Sequence, residues 1–437
     1  MEDLWKRLVI DHWQRLESRE GDVALENGGT PTDAPVLTLL LGPSGSGKTA
    51  ALVDQAALLV RKGVSARRTL YADLADPRLP ADLRRDHLAA LIESFLILAP
   101  GSRREPFYLL LDNLGIIEDW PVLARALADT YAVRIWASAA DATWLDSTAQ
   151  ARLSFSHEVI PLTGRPLQSL LRSFIAAQAA AGSADPVRGA LDRLFCGEES
   201  PEGAVYAAQR RHDVANGCAR DAARFIPGTP LALIRRTAAL LLGQSGTAPS
   251  LSALQRQLES EGLSTTRATL TTVAEALQRA QLIVRPHEFG GDPRDNTRAA
   301  RLVVARDIGS AQAFATSPLR GAPLVISVVA SVLCSQGREG QLRQVRPDRG
   351  RGLFIAWGND EAAGPEGLVA VDGAQNDARP GPRSAFVRGA EAVMERWGHR
   401  RLTVITPGAP WVTRCSQGIL EGVPLGQWVL DQAGLLR

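Results

Sequence analysis

Lysine is almost missing from this chain. Of 49 basic residues among 437, three are lysine (Lys6, Lys48 and Lys62) and 46 are arginine. No lysine follows Lys62, which excludes from the rest of the chain any chemistry that needs a compact ammonium group. Cysteine is scarce as well. Cys196, Cys218, Cys334 and Cys415 stand far apart, a spacing that forms no zinc pattern and fits the reduced thiols of a cytoplasmic protein. Long apolar runs are absent too. None approaches the roughly 20 residues of a membrane-spanning helix, and the N-terminus has no basic start and apolar run of the kind that marks a secretory signal. Charge is nearly balanced at +2, so bulk electrostatics argues for neither a nucleic-acid nor a membrane partner. The 45% apolar content is that of an ordinary globular protein, and the length suggests about three domains.

Against that scarcity, the placement of Lys48 is informative. Gly42-Pro43-Ser44-Gly45-Ser46-Gly47-Lys48-Thr49 is an intact phosphate-binding loop. The apolar run Val36–Leu41 predicts a buried strand entering it, and Thr49–Leu59 predicts a helix leaving it. Glycines let backbone N–H groups converge on phosphate oxygens at the helix N-terminus. A lysine ammonium reaches the β- and γ-phosphates where arginine's wide fork does not fit. Residues 42–49, with Ala50 beside them, are therefore the expected ATP site, and the Thr49 hydroxyl is expected to reach Mg²⁺.

Downstream, strands and helices alternate, which predicts a parallel sheet. Expected strands are Arg68–Asp73, Pro106–Asp112, Ala132–Ser138 and His157–Leu162. Before them, Leu4, Trp5, Leu8, Val9, His12, Trp13 and Leu16 stand at helical spacing, and their apolar face is expected to pack on the protein's own core. Residues 163–240 read as helices. A break at Gly243–Ser250 precedes a helix, helix, strand, turn, strand pattern over 251–306, the order of a winged helix. Beyond it, Ser384–Trp397 predicts a helix and Arg401–Thr406 a strand.

Asp112 ends an apolar strand, as a carboxylate holding Mg²⁺-bound water beside Thr49 must. The next residue is Asn113, where most ATPases of this kind carry a glutamate that polarises the attacking water. An amide takes no proton, and loss of a positioned base costs on the order of 10²–10⁴ in rate. The expectation is tight nucleotide binding with slow hydrolysis, with Glu118 as a weak substitute. Ser138 reads either as a sensor of the γ-phosphate or as the cap of a following turn. Arg152 and Arg165 are candidates for an arginine finger.

The pieces Gly42–Thr49, Leu70–Asp73, Leu109–Asn113 with Trp120, Ala151-Arg152 before Ile160–Leu162, and Phe225–Pro230 together resemble one family. It comprises AAA+ ATPases related to the STAND and origin-recognition proteins, with a P-loop domain, a helical lid, a winged helix and a C-terminal nuclease-like domain. The resemblance implies an α/β fold divided into residues 1–30 (N-terminal helix and linker), 31–162 (P-loop core), 163–245 (lid), 246–306 (winged helix) and 307–437 (a restriction-endonuclease-like α/β domain). It also implies that Gly228 and Pro230 form the turn by which the lid meets adenine; Gly-x-Pro equally marks a plain interhelical turn.

The C-terminal segment departs from that pattern. A working nuclease core holds a metal between acids and places a lysine beside the attacking water. Here Asp360, Glu361 and Asp372 are present, but Ala374 stands at the lysine position, which implies a degenerate domain that cuts nothing. In the winged-helix segment, eight arginines face seven acids between Ser250 and Asp307, a poor footprint for duplex DNA. The favoured reading is a nucleotide-dependent switch or scaffold with a protein partner, able to form homo-oligomers and without a membrane role. The alternative is a DNA-associated ATPase that positions other factors.

Overall fold

The computed structural model describes residues 2–17, 35–42, 44–76, 78–80, 83–99, 106–117, 119–140, 155–162, scattered positions between 175 and 212, then 214–288, 301–317, 319–336, 338, 342–345, 353–357, 367–371, 384–406 and 409–432. The chain divides into two compact units, Met1–Leu162 and Thr163–Arg437.

The first unit is built on α1 (Glu2–Glu17), β1 (Leu37–Leu41), α2 (Lys48–Arg61), β2 (Thr69–Asp73), α3 (Arg85–Leu98), β3 (Phe107–Asp112), α4 (Trp120–Thr130), β4 (Val133–Ala139) and β5 (His157–Pro161). All five strands are parallel, in the order β2-β3-β4-β1-β5. β1 and β3 are buried along their whole lengths, as expected of strands covered on both faces by helices. Alternation along them sorts their side chains between two layers. Leu40, Tyr108 and Leu110 meet Leu52, Ala56 and Leu59 of α2. Leu37, Leu39, Leu109 and Leu111 belong to the opposite layer, with α1, α3 and α4.

The amphipathic face of α1 is part of that second layer: Trp5, Val9 and Trp13 are buried in it. Its polar atoms are tied down as well. Trp13 Nε1 donates to the Thr69 carbonyl at 3.0 Å, and His12 Nε2 lies 3.2 Å from Thr69 Oγ1, at the start of β2.

The second unit contains α5 (Ala219–Ala223), α6 (Leu231–Gly243), α7 (Leu251–Ser260), α8 (Arg267–Arg279), β6 (Ile283–Val284), β7 (His287–Glu288), β8 (Val304–Ala305), α9 (Ile308–Phe314), α10 (Gly321–Ser335), β9 (Leu342–Val345), β10 (Leu353–Trp357), β11 (Gly367–Val371), α11 (Ser384–Trp397), β12 (Arg401–Thr406), β13 (Trp411–Cys415), β14 (Gly418–Pro424) and α12 (Leu425–Gln432). Ser250, Thr266 and Asp307 cap α7, α8 and α9 by accepting first-turn N–H bonds, as short polar residues do at helix starts. β6 and β8 form a two-stranded antiparallel ribbon. The larger sheet is mixed and seven-stranded, in the order β13-β14-β12-β11-β10-β9-β7.

One apolar core runs through this unit from Val214 to Val429. It passes unbroken across residues 245/246 and 306/307, the two junctions that the sequence suggested. β7 also crosses that line. It leaves the segment read as a winged helix and pairs with β9 of the larger sheet, His287 opposite Arg343. Among the described residues, no helix is long and apolar enough to cross a membrane, and Cys218, Cys334 and Cys415 are free thiols.

Candidate nucleotide site

Every strand that contributes to the site does so from its carboxyl end. β1 runs into the glycine loop, and Asp73, Asp112 and Ser138 sit at the ends of β2, β3 and β4. Parallel register aligns these ends, with Asp73 opposite Asp112 and Leu41 opposite Ala139. β4 lies between β1 and β3, so Ser138 stands between the loop and Asp112. A crevice at the carboxyl edge of a parallel sheet is the usual ligand position in open α/β folds.

The loop has the form that a phosphate cradle requires. Gly45 and Gly47 take left-handed backbone angles, φ 80° and 94°, which cost glycine little. A Cβ on Gly42 would lie 1.9 Å from the Leu162 carbonyl oxygen, so only glycine fits there. Gly47 caps α2 without any side-chain acceptor for the first-turn N–H groups, leaving them for an anion. Lys48 is buried and its Nζ donates to the Gly42 carbonyl at 2.8 Å. Ser46 Oγ is buried with no hydrogen-bond partner, an orphaned hydroxyl inside the loop. Ser44 is half-buried and Ala50 exposed on the first turn of α2. Pro43 lies outside the described residues.

Asp112 is 1% exposed and receives four donors. Thr49 Oγ1 donates to Oδ2 at 2.6 Å and Tyr71 OH at 3.2 Å. Ser138 Oγ donates to Oδ1, as does the Asn113 N–H at 3.1 Å. That is the full complement for two carboxylate oxygens. Ser138 is fully buried and also accepts from the Asn113 N–H at 2.9 Å. Its hydroxyl therefore braces the acid rather than capping a turn. Thr49 and Asp112 are the pair able to hold Mg²⁺. Among the described residues no group of three or more His, Cys, Asp or Glu is placed to hold a metal. Two oxygen ligands suit Mg²⁺, which keeps several waters and takes its other contacts from phosphates.

Asn113 has left-handed backbone angles, φ 58° and ψ 35°, a region where asparagine is enriched among non-glycine residues. The turn aims its side chain sideways. Nδ2 donates to Asp73 Oδ1 at 2.9 Å, the same oxygen that accepts from Ala75 N at 2.9 Å. A carboxylate beside the amide identifies the nitrogen end of Asn113, since Asp accepts and does not donate. Asp73 was visible in sequence only as the last residue of a strand. The β2–β3 register, which sequence does not display, brings it to Asn113.

Gly228 and Pro230 belong to the second unit. Gly228 has φ 83° and Pro230 opens α6, so together they turn the chain from α5 into α6. Glu118, Arg152, Arg165, Asp360, Glu361, Asp372 and Ala374 lie outside the described residues.

No protein-family profile matches the chain, and no curated protein is similar to it in sequence. Comparison with solved structures gives partial matches. PCH-2 from C. elegans matches over 63% of this chain and 66% of its own, at 15% identity and a TM-score of 0.24. A DNA polymerase III gamma subunit-related protein from Thermotoga maritima matches over 62% and 99%, at 14% and 0.28. The FIGL-1 AAA domain, solved with ADP, matches over 68% and 83%, at 12% and 0.20. These identities and scores carry no functional inference.

Proposed function

We propose that this chain is an AAA+-type protein that binds Mg²⁺-ATP in the crevice formed by Gly42–Thr49, Asp112 and Ser138, and acts as a nucleotide-dependent switch with slow hydrolysis. The observation that carries the reading is the 2.6 Å bond from Thr49 to Asp112, which joins the end of the glycine loop to the acid of β3. Lys48 would compensate the β- and γ-phosphates, and the uncapped first turn of α2 would receive phosphate oxygens. Bound Mg²⁺, held by Thr49 and Asp112, supplies neutralisation of phosphate charge.

Slow hydrolysis follows from the pair beside the acid. The amide of Asn113 stands where a base is expected, and the carboxylate of Asp73 is engaged by that amide. Asp73 orients any water only after giving up or sharing this bond. In this reading Asp73 is the residual base and Asn113 its restraint. The C-terminal segment is proposed as a contact surface for a protein partner, without nuclease chemistry.

Titration calorimetry with Mg²⁺-ATP tests the site. Lys48→Ala is expected to abolish binding while the nucleotide-free protein keeps its fold. Unchanged affinity in that variant would place nucleotide elsewhere or nowhere.

A further inference from the structure

A second polar site lies in the Thr163–Arg437 unit, where the small ribbon meets the edge of the larger sheet. Four basic residues gather there. His287 on β7 is directly opposite Arg343 on β9. The β6–β8 pairing, Val284 opposite Val304, brings the chain back so that Leu302 N donates to Gln344 Oε1 at 3.1 Å. Arg301, the residue before Leu302, is close enough to act electrostatically on Arg285 and His287. Arg285 lies between β6 and β7 and is 8% exposed, with Nε and Nη1 both buried and without a hydrogen-bond partner.

A guanidinium taken out of water without a counter-charge is costly, and native proteins retain one where something pairs with it. Among the described residues no hydrogen bond pairs Nε or Nη1 of Arg285. Burial lowers the Arg285 pKa, and the positive charge of Arg301 adds to that; among the described residues only Glu275 opposes it. Glu275 is exposed on α8. The His287 imidazole is pushed below its ordinary range by burial and then by Arg301, Arg343 and Arg285. Arg285 and His287 are thus both disfavoured in their charged forms by burial and by neighbouring positive charge, which an anion beside them would relieve.

We propose that Arg285, His287, Arg301 and Arg343 form a phosphate-binding site, with Arg285 as a buried donor pair and the other three as its rim. Nε and Nη1 lie on different edges of the guanidinium, so each offers its own charged donor to a phosphate oxygen. Neighbouring strands lie about 4.8 Å apart, so His287 and Arg343, opposite each other on β7 and β9, reach the same group. The phosphate belongs either to a nucleic-acid backbone or to a small phosphorylated molecule, and the recognition chemistry is shared. Neither the glycine loop nor its proposed nucleotide is involved.

The test uses the full chain carrying Lys48→Ala, which removes the glycine-loop lysine from the comparison. Inorganic phosphate is titrated calorimetrically and by thermal shift in a phosphate-free buffer. Arg301→Gln and Arg343→Gln change only the rim, so their fold is expected to persist; each should weaken phosphate binding by about tenfold, the worth of one charged hydrogen bond. Arg285→Met should remove it and leave the protein at least as stable, because a buried unpaired charge is gone. No phosphate binding in the Lys48→Ala parent, or equal binding in all four proteins, overturns the proposal. Labelled single-stranded and duplex DNA and RNA are then assayed on the same proteins. Oligonucleotide binding that phosphate competes away, and that falls in the rim variants, assigns the site to a backbone. Phosphate binding without oligonucleotide binding assigns it to a small molecule.

Discussion

The contact between Asn113 and Asp73 can be reversed without removing it. Asn113 Nδ2 and Asp73 Oδ1 are 2.9 Å apart. Asn113→Asp alone would bring two carboxylates to that distance. At an effective dielectric of 20 their repulsion is about 4–6 kcal/mol, less here because Asp73 is partly exposed and solvent screens it. The single variant should therefore share a proton between the two acids or open the β2–β3 edge, and should gain little activity. Asp73→Asn removes the carboxylate held by Asn113, the proposed residual base, and should lower the residual rate by about 10²–10⁴ at unchanged ATP affinity. Combining Asp73→Asn with Asn113→Asp restores an amide–carboxylate bond in the opposite sense and puts the charge directly after Asp112. The double variant should hydrolyse ATP faster than wild type. Phosphate release under saturating Mg²⁺-ATP, with calorimetric affinities for all four proteins, measures the cycle, and the coupling is read from the non-additivity. A wild-type rate within the usual enzyme range of about 1–10³ per second refutes the claim of slow hydrolysis. A rate unaffected by Asp73→Asn refutes the role given to Asp73.

Three further outcomes are expected. Ser138→Ala deletes a fully buried hydroxyl that donates to Asp112 and accepts from Asn113; it should destabilise the nucleotide-free protein by about 1.5–3 kcal/mol, and an unmoved urea midpoint would dismiss the bracing role. Incubation with single- and double-stranded DNA and RNA, with Mg²⁺ or Mn²⁺ and ATP, should leave every substrate intact; cleavage that disappears in Asp372→Ala would make the C-terminal segment a working nuclease. Burial, and then the positive charges of Arg301, Arg343 and Arg285, depress the pKa of His287, so the unfolded chain takes up the proton first as pH falls below about 6.5. Stability in phosphate-free buffer should therefore decline from there down to the folded-state pKa and then level off, and His287→Gln should flatten the curve measured by denaturant midpoints.

Local signals carried most of the first unit. The expected strands at 68–73, 106–112, 132–138 and 157–162 differ from β2 to β5 by single residues at their ends, because buried parallel strands are continuous apolar runs between turns. Trp5, Val9 and Trp13 announced a face for α1, and that face is buried. Lys48, Thr49 and Asp112 were legible because loop, helix and strand-end chemistry is written in contiguous residues. Tyr71 and Asp73 were not assigned to the site, since their place depends on which strand lies beside β3, and pairing order is a property of the whole sheet. The same limit applies to the second unit. α7 and α8 began and ended close to their capping signals, yet two residues at 287–288 join a sheet whose other strands begin more than fifty positions later. A dipeptide has no periodicity to read. In sequence Arg285 stands with Arg267 and Arg279 on or beside the recognition-type helix; its burial is what the sequence does not display.

The unbroken core of the second unit has a consequence for how this half of the protein can be divided. Leu233, Ile234 and Leu242 of α6 share a cluster with Leu270 and Leu277 of α8, Val325 and Val329 of α10, Ile405 of β12 and Trp428 of α12. A chain ended at residue 306 would expose the apolar residues that now meet α10 and α12, and would leave β7 as an unpaired edge, open to pairing with another molecule. Fragments cut at that point should aggregate rather than behave as a small folded module. Whatever surface this half offers to a partner is therefore held by residues from both sides of the cut, and a binding map drawn from truncations would record loss of folding as loss of contact. Point substitutions on the outside of the sheet, which leave the shared interior closed, are the way to find it.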